Sequence, residues 1–358
     1  MFLLRFEKLY QCKGHRSAPS IPFFIIQSSE TSLTRELTTQ PPPVLYSNYP
    51  VSERNEAMSL YKLRTKPLHL ATLEILQRRM TLSPKASNDY TRWLKGFEGE
   101  QRFDQFIEPI ANESYLLHDL LLKKQNTTFQ IDSLLITPEK IYLFEIKNYE
   151  GDFLYEDEKF YRLPNTEILN PLHQLQRAAA LLGQLLKSHG HTIPIEGYVI
   201  FIHPHFHLYN APLTPSIIFP TQIKPFLEQL KTASLLTSYH ERLAQDLNDL
   251  HLNDSALNEI PSYTFDSLQK GMSCFQCFSF SVRLNGHRCL CENCGAYEAY
   301  RDALLRNVDE FKMLFPDEKI RTKLIYEWGG KLGSYKRIRT VLQKHFTKKR
   351  NNRWMYFE

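Results

Sequence analysis

The sequence predicts an α/β protein: a mixed sheet flanked by helices, then a small cysteine-bearing module and a basic, helical C-terminal module. Three observations carry this expectation. Periodic segments run helix, three strands, helix, strand, an order that packs helices against a sheet. Five of the six cysteines lie between Cys274 and Cys294. Charge is uneven: residues 301–358 hold 15 Lys and Arg against 7 Asp and Glu, a net of +8, so the rest of this +5 chain carries −3. With 42% hydrophobic residues over 358 positions, the chain can fill one large core or two to three smaller ones. No run approaches the roughly 18 apolar residues of a membrane helix. No apolar segment ends in a small-residue cleavage site. A cytoplasmic location without a membrane partner is the expectation.

Taken in order, residues 1–57 contain Pro41-Pro42-Pro43 and no sustained periodicity, and are predicted to be disordered. Met58 is a candidate start of the functional chain. Residues 58–95 read as a helical lead-in. Leu68, Leu70, Leu73, Ile75 and Leu76 give a helix over 67–82, and a second runs from about Tyr90 to Phe106. Gly96 and Gly99 inside that helix each cost about 1 kcal/mol relative to Ala, which suggests close packing there. Strands follow at 114–122, 128–136 and 140–147, with Pro138-Glu139 as a turn. The β-rich stretch 152–162 is expected to continue the same sheet. Asn170 and Pro171 suit the N-cap and first position of a helix reaching about Ser188. The apolar run Gly197–Ile202 fits a central strand buried on both faces.

Chemistry enters at Asp132, Glu145 and Lys147. Each acid interrupts an apolar strand, and a buried, unpaired carboxylate needs a cation or hydrogen-bond donors. Glu145 and Lys147, at i and i+2, share one face of their strand. If the 128–136 and 140–147 strands pair, Asp132 comes near them. Two carboxylates that hold Mg²⁺ or Mn²⁺ beside a lysine suit phosphodiester hydrolysis. The lysine would position the attacking water or stabilise transition-state charge. The same residues also fit a structural Glu145–Lys147 ion pair on an edge strand.

Four motifs occur in order: Gly96-x-Glu98-Gly99-Glu100, Gln130-Ile131-Asp132, Phe144-Glu145-Ile146-Lys147-Asn148 with Gly151, and Asn170-Pro171-x-x-Gln174. Together they resemble the nuclease-related domain (NERD), placed in the PD-(D/E)XK superfamily with the restriction endonucleases. The resemblance covers roughly 96–235. It implies a restriction-endonuclease-like mixed sheet with metal-binding acids Asp132 and Glu145 and the lysine Lys147. It also implies catalytic roles for Glu100 on the first helix and Gln174 on the later one. Two departures stand out: Ile131 rather than Pro precedes Asp132, and Ser133 occupies a place where His is often expected.

After a helical linker at 236–270, Cys274-x-x-Cys277 and Cys291-x-x-Cys294 predict a zinc ribbon over 271–298 with four thiolates around structural Zn²⁺. Cys289 is an alternative to Cys291. Residues 299–358 read as three helices, about 297–314, 316–328 and 334–346, the last two joined at Gly329-Gly330. Lys336, Arg337, Arg339, Lys344, Lys348, Lys349 and Arg350 make a helix-turn-helix-like, DNA-binding surface. The alternative is a helical cap that only packs beside the ribbon. Two functions compete for the whole chain: a metal-dependent DNA nuclease, and a non-catalytic nucleic-acid-binding protein on a nuclease-like scaffold.

Overall fold

The central sheet is built from segments whose successive residues can be buried on opposite sides. The computed structural model describes residues 60–111, 113–231, 234–252, 260–351 and 354–358, all within the unit Pro43–Glu358. Residues 1–57, Met58 and Cys12 lie outside the described residues, and so do the expectations attached to them. The chain begins with β1 (Leu60–Lys62), α1 (Leu68–Arg79), α2 (Pro84–Ile107), β2 (Tyr115–Lys124), β3 (Thr127–Ile136) and β4 (Ile141–Lys147). It continues through β5 (Gly151–Glu156), β6 (Lys159–Arg162), β7 (Thr166–Ile168), α3 (Pro171–Ser188), β8 (Ile195–Phe201), β9 (Phe206–Tyr209) and β10 (Ile217–Ile218). Then come α4 (Ile223–Gln229) and α5 (Ser238–Asp249).

Six strands form a mixed sheet in the order β1-β2-β3-β4-β8-β10. The β2–β3 and β3–β4 pairs are antiparallel, and β4–β8 and β8–β10 are parallel. Because strand side chains alternate, Leu134, Leu143 and Val199 enter one core with Leu175 and Leu182 of α3 and Leu243 and Leu247 of α5. Their neighbours Leu135, Phe144 and Ile200 enter another, with Phe103 and Ile107 of α2 and Leu227 of α4. Each of these fully buried side chains stabilises the fold by about 1.5–3 kcal/mol. The expected mixed sheet flanked by helices is therefore present.

Some boundaries differ from expectation for local reasons. Helix α2 starts at Pro84, several residues early, because the Ser83 side chain accepts from the Ala86 N–H and Pro84 takes the first position. The Asn170 cap behaves as expected, its side chain accepting from the Leu172 N–H. The stretch 152–162 does not continue the central sheet. It belongs to a separate four-stranded sheet ordered β7-β6-β5-β9. Gly151, at φ +99°, turns the chain out of the first sheet at that point.

The C-terminal part contains β11 (Val282–Asn285), β12 (Arg288–Cys291), β13 (Tyr297–Ala299), α6 (Tyr300–Leu314), α7 (Thr322–Trp328), α8 (Tyr335–His345), β14 (Lys348–Asn351) and β15 (Trp354–Phe357). Strands β11, β12 and β13 form a small antiparallel sheet. Residues 297–299 are thus strand rather than the start of α6. Helix α7 begins only at Thr322, because Ile320 bridges to Phe357 of the β14–β15 hairpin. Leu73, Ile75 and Leu76 of α1 share this part's core with Leu304, Phe311, Trp328, Ile338 and Leu342. Arg79 of α1 is buried there, 2.6 Å from Glu310 and stacked over the Trp328 ring at 3.9 Å. Helix α1, which lies between β1 and β2 of the central sheet in sequence, therefore helps to build the last module.

Candidate active site and metal centre

The β3–β4 ladder runs from Ile136↔Ile141 to Ser133↔Phe144 and stops. On its other side β4 stays paired with β8 as far as Lys147↔Phe201. The central sheet therefore forks between β3 and β4 beyond Ser133. A fork leaves β4 main-chain donors without a strand partner, which is costly when buried. Asp132 meets that need: its Oδ2 accepts from the Ile146 N–H at 2.8 Å. This places its carboxylate against the backbone between Glu145 and Lys147.

Lys147 Nζ lies 2.6 Å from Glu145 Oε1, and both side chains are largely buried, 16% and 10% exposed. Burial pushes the Glu145 carboxyl up to about 7, with the Asp132 charge adding to the rise and Lys147 opposing it. Burial also raises Asp132, against Lys147 and the Ile146 N–H. For Lys147, burial acts downward, but the Glu145 charge, Tyr149 and Asp132 outweigh it. The ammonium is held above its ordinary pKa and is a firm cation.

Glu100 lies on α2, and burial with the Asp132 charge pushes it up to about 8. It connects to the fork through Arg64, a residue that sequence reasoning missed. Arg64 is 4% exposed and lies between β1 and α1. Its guanidinium donates to Glu100 Oε2 (2.6 Å), to both oxygens of Asp104 (2.7 and 3.1 Å), to the Asp132 carbonyl (2.8 Å) and to Ser133 Oγ (3.0 Å). Bidentate pairing of this kind is what a planar guanidinium does best. A lone arginine before an amphipathic helix carries no signal of such a role.

Ser133 also explains one departure noted in the sequence. His118 of β2 pairs directly opposite it, with Nδ1 2.9 Å from Ser133 Oγ. A histidine does stand at this level of the sheet, on the neighbouring strand. Burial, with Arg64 and Lys62, pushes His118 down to about 3, so it is neutral at physiological pH. Asp104, Glu108 and His118 offer ligand atoms within 4.8 Å of one another. Arg64 already compensates both oxygens of Asp104, however. Glu100, Asp132 and Glu145 do not converge as such a set. Gln174 is partly exposed in the first turn of α3.

The family model of the nuclease-related domain (NERD) matches residues 95–202.

Residues 95–202 form a nuclease-related domain.

No curated protein and no solved structure matches the chain. The nuclease-related domain spans the end of α2, the forked strands, α3 and β8, and so contains Glu100, Asp132, Glu145, Lys147 and Gln174. Arg64, which ties Glu100 to β3, comes from outside it. At Gly99, an added Cβ would fall 2.5 Å from Asn148 Cβ. Close approach between α2 and the chain just after β4 therefore requires that glycine. Gly96 has nothing within 4 Å and no such role.

Beyond the nuclease-related domain, Cys274, Cys277, Cys291 and Cys294 bring their sulfurs within 4.8 Å of one another, with two separations of 3.6 and 3.5 Å. A tetrahedral ion with bonds of about 2.3 Å to sulfur spaces its ligands by about 3.8 Å, so these residues fit zinc. The two knuckles repeat one backbone pattern. Phe278 N–H donates to the Cys274 carbonyl and Gly295 N–H to that of Cys291, and both donors have positive φ (+58° and +74°). The Cys274 and Cys291 N–H groups donate to the carbonyls of Ser279 and Ala296. Cys289 is instead 3% exposed and packed in the apolar core. All five are free thiols.

On the basic module, Ile338 and Leu342 are buried while Lys336, Arg339 and Lys344 of α8 and Lys348, Lys349 and Arg350 of β14 face solvent. Arg337 is turned back: it lies over the Tyr300 ring at 5.0 Å and reaches His287 at 2.9 Å. Among the described residues, no helix is long and apolar enough to cross a membrane.

Proposed function

We propose that the chain is a divalent-metal-dependent nuclease that cuts phosphodiester bonds in DNA at the β3–β4 fork. One observation supports this reading: Asp132 caps the Ile146 N–H where the strands part, against the β4 backbone between Glu145 and Lys147. The fork suits a cation. Arg64 and Lys147 are the cations paired with Glu100, Asp104 and Glu145, and all four acids, Asp132 included, are raised mainly by burial, with the Asp132 charge the next cause for Glu100 and Glu145. The oxygen donors of Asp132 and Glu145 match Mg²⁺ or Mn²⁺. Such an ion, when bound, offsets phosphate charge and lowers the pKa of a water. Lys147, a cation throughout the physiological range, directs its Nζ–H donors at a non-bridging phosphate oxygen rather than acting as a base. Glu100, neutral or ionised around pH 8, sits where it can exchange a proton with a nearby water. Gln174 on the first turn of α3 orients the phosphate.

In this reading the four cysteines hold a structural zinc. Lys336, Arg339, Lys344, Lys348, Lys349 and Arg350 bring duplex or unpaired DNA to the fork, in the cytoplasm, where thiols stay reduced. The Glu145–Lys147 pair at 2.6 Å favours a second reading, a binding protein whose fork is purely structural. Nicking of supercoiled plasmid separates the two. The nuclease reading expects nicking with Mg²⁺ or Mn²⁺ that is lost in EDTA and in Glu145→Ala and Lys147→Ala. Metal-independent nicking, or equal nicking by both variants, rejects it.

A further inference from the structure

One concave surface is not used by the fork or the zinc centre. A cavity of about 700 Å³ opens among α7, α8 and β15, lined by Arg321, Lys323, Lys336, Arg339, Tyr335 and Met355. Four of these side chains are cations and none is an acid. Lys336 and Arg339 are three apart on α8 and so share a face. Lys323 reaches an acid only at 4.0 Å, in a solvent-exposed pair with Glu327 that holds it weakly. Among the described residues, Arg339 makes a hydrogen-bond contact with the Met355 sulfur, at 3.9 Å, and no ion pair. At one wall Tyr335 is 48% exposed and stacked on Tyr326, ring centroids 4.3 Å apart at 30°. The stack holds the ring in place while leaving about half of the residue open to solvent.

We propose that this groove binds an unpaired nucleic-acid strand, phosphates on the four cations and a base against Tyr335. The proposal rests on the reading above that the tail meets nucleic acid, and it names the form the nucleic acid takes there. A duplex stacks its bases on one another and hides their faces, so it has nothing to offer an aromatic ring. Reading a duplex also calls for a convex helix that enters a major groove about 12 Å wide. Here the basic face of α8 lines a hollow instead. A cationic groove with a fixed aromatic ring is the arrangement that holds single strands, with about 1–3 kcal/mol per stacked base.

The test is fluorescence anisotropy on the full, zinc-loaded chain without added magnesium. The probes are a labelled oligothymidylate of about fifteen nucleotides and a duplex of the same length. The single strand binds about tenfold or more tightly than the duplex. Tyr335→Ala weakens single-strand binding by about tenfold and leaves duplex binding within about twofold, while Tyr335→Phe retains it. Lys336→Gln and Arg339→Gln each lower the slope of log affinity against log salt by about 0.7. Equal affinity for the two probes, or no effect of Tyr335→Ala, overturns the groove assignment. Salt-sensitive duplex binding with Tyr335 irrelevant leaves the nucleic-acid reading standing alone. Failure of both probes to bind at low salt removes both.

Discussion

At the forked strands, Arg64 pairs with Glu100 and Asp104, Lys147 pairs with Glu145, and Asp132 accepts from the Ile146 N–H, all largely out of water. On α8 and β14, Lys336, Arg339, Lys344, Lys348 and Lys349 stand in water. The difference is one of cost. A charge in solvent costs the fold little and contributes little to it. A buried charge must be paired, and removing one partner leaves the other stranded. The fork buries more acids than cations, an arrangement that stability alone does not require, and the tail keeps exposed positive charge that packing does not use. On the proposed function, a cation at the fork and a polyanion at the tail would complete the two regions.

The largest test of this contrast lies between the two regions, at the cysteines. Cys277→Ser with Cys291→Ser should abolish binding of one zinc per chain and unfold the β11–β13 sheet. Zinc contributes about 10–16 kcal/mol in comparable small sites. Metal content by mass spectrometry and near-ultraviolet circular dichroism check this. Cys289→Ser should keep its zinc while losing some stability, because Cys289 packs in the core.

Arg64→Ala comes next. It strands Glu100 and Asp104 and should cost about 3–5 kcal/mol, read as a fall in Tm. Arg64→Lys should rescue little, since an ammonium cannot reproduce the fork of donors. By contrast, Lys344→Gln with Lys349→Gln should change stability by less than about 0.5 kcal/mol while weakening nucleic-acid binding. Equal stability losses in the two regions would break the comparison.

Two glycines sharpen it at a smaller scale. Gly99→Ala should destabilise by about 1–3 kcal/mol, because Asn148 fills the space a Cβ needs. Gly96→Ala, with open space around it, should stabilise by up to about 1 kcal/mol. Denaturant unfolding of both variants checks the opposite signs.

Much of this was legible in the sequence, for identifiable reasons. Strands β2, β3, β4 and β8 and the Asn170-Pro171 helix start announced themselves through apolar runs and capping residues. The cysteine spacing pointed directly to a four-thiol cluster that could hold zinc, and the structure separates Cys289 from it by burying that thiol among apolar side chains. The two helix glycines hinted at close packing, and only Gly99 has it. Arg64 and His118 were not legible. Their roles come from contacts tens of residues away in sequence, and neither stands in a local pattern. The turn at Gly151 was likewise hidden, because alternation alone cannot say which sheet a strand joins. Arg337 shows the same limit on the surface, where a basic helix position turned out to serve the Tyr300 ring.

Manganese binding to the zinc-loaded chain, followed by electron paramagnetic resonance, tests the central claim most directly. One Mn²⁺ per chain should bind in the wild type and be lost in Asp132→Asn and in Glu145→Gln, with zinc content unchanged. Absence of a bound manganese, or the same manganese in all three proteins, would contradict the assignment of the strand fork as a catalytic metal site.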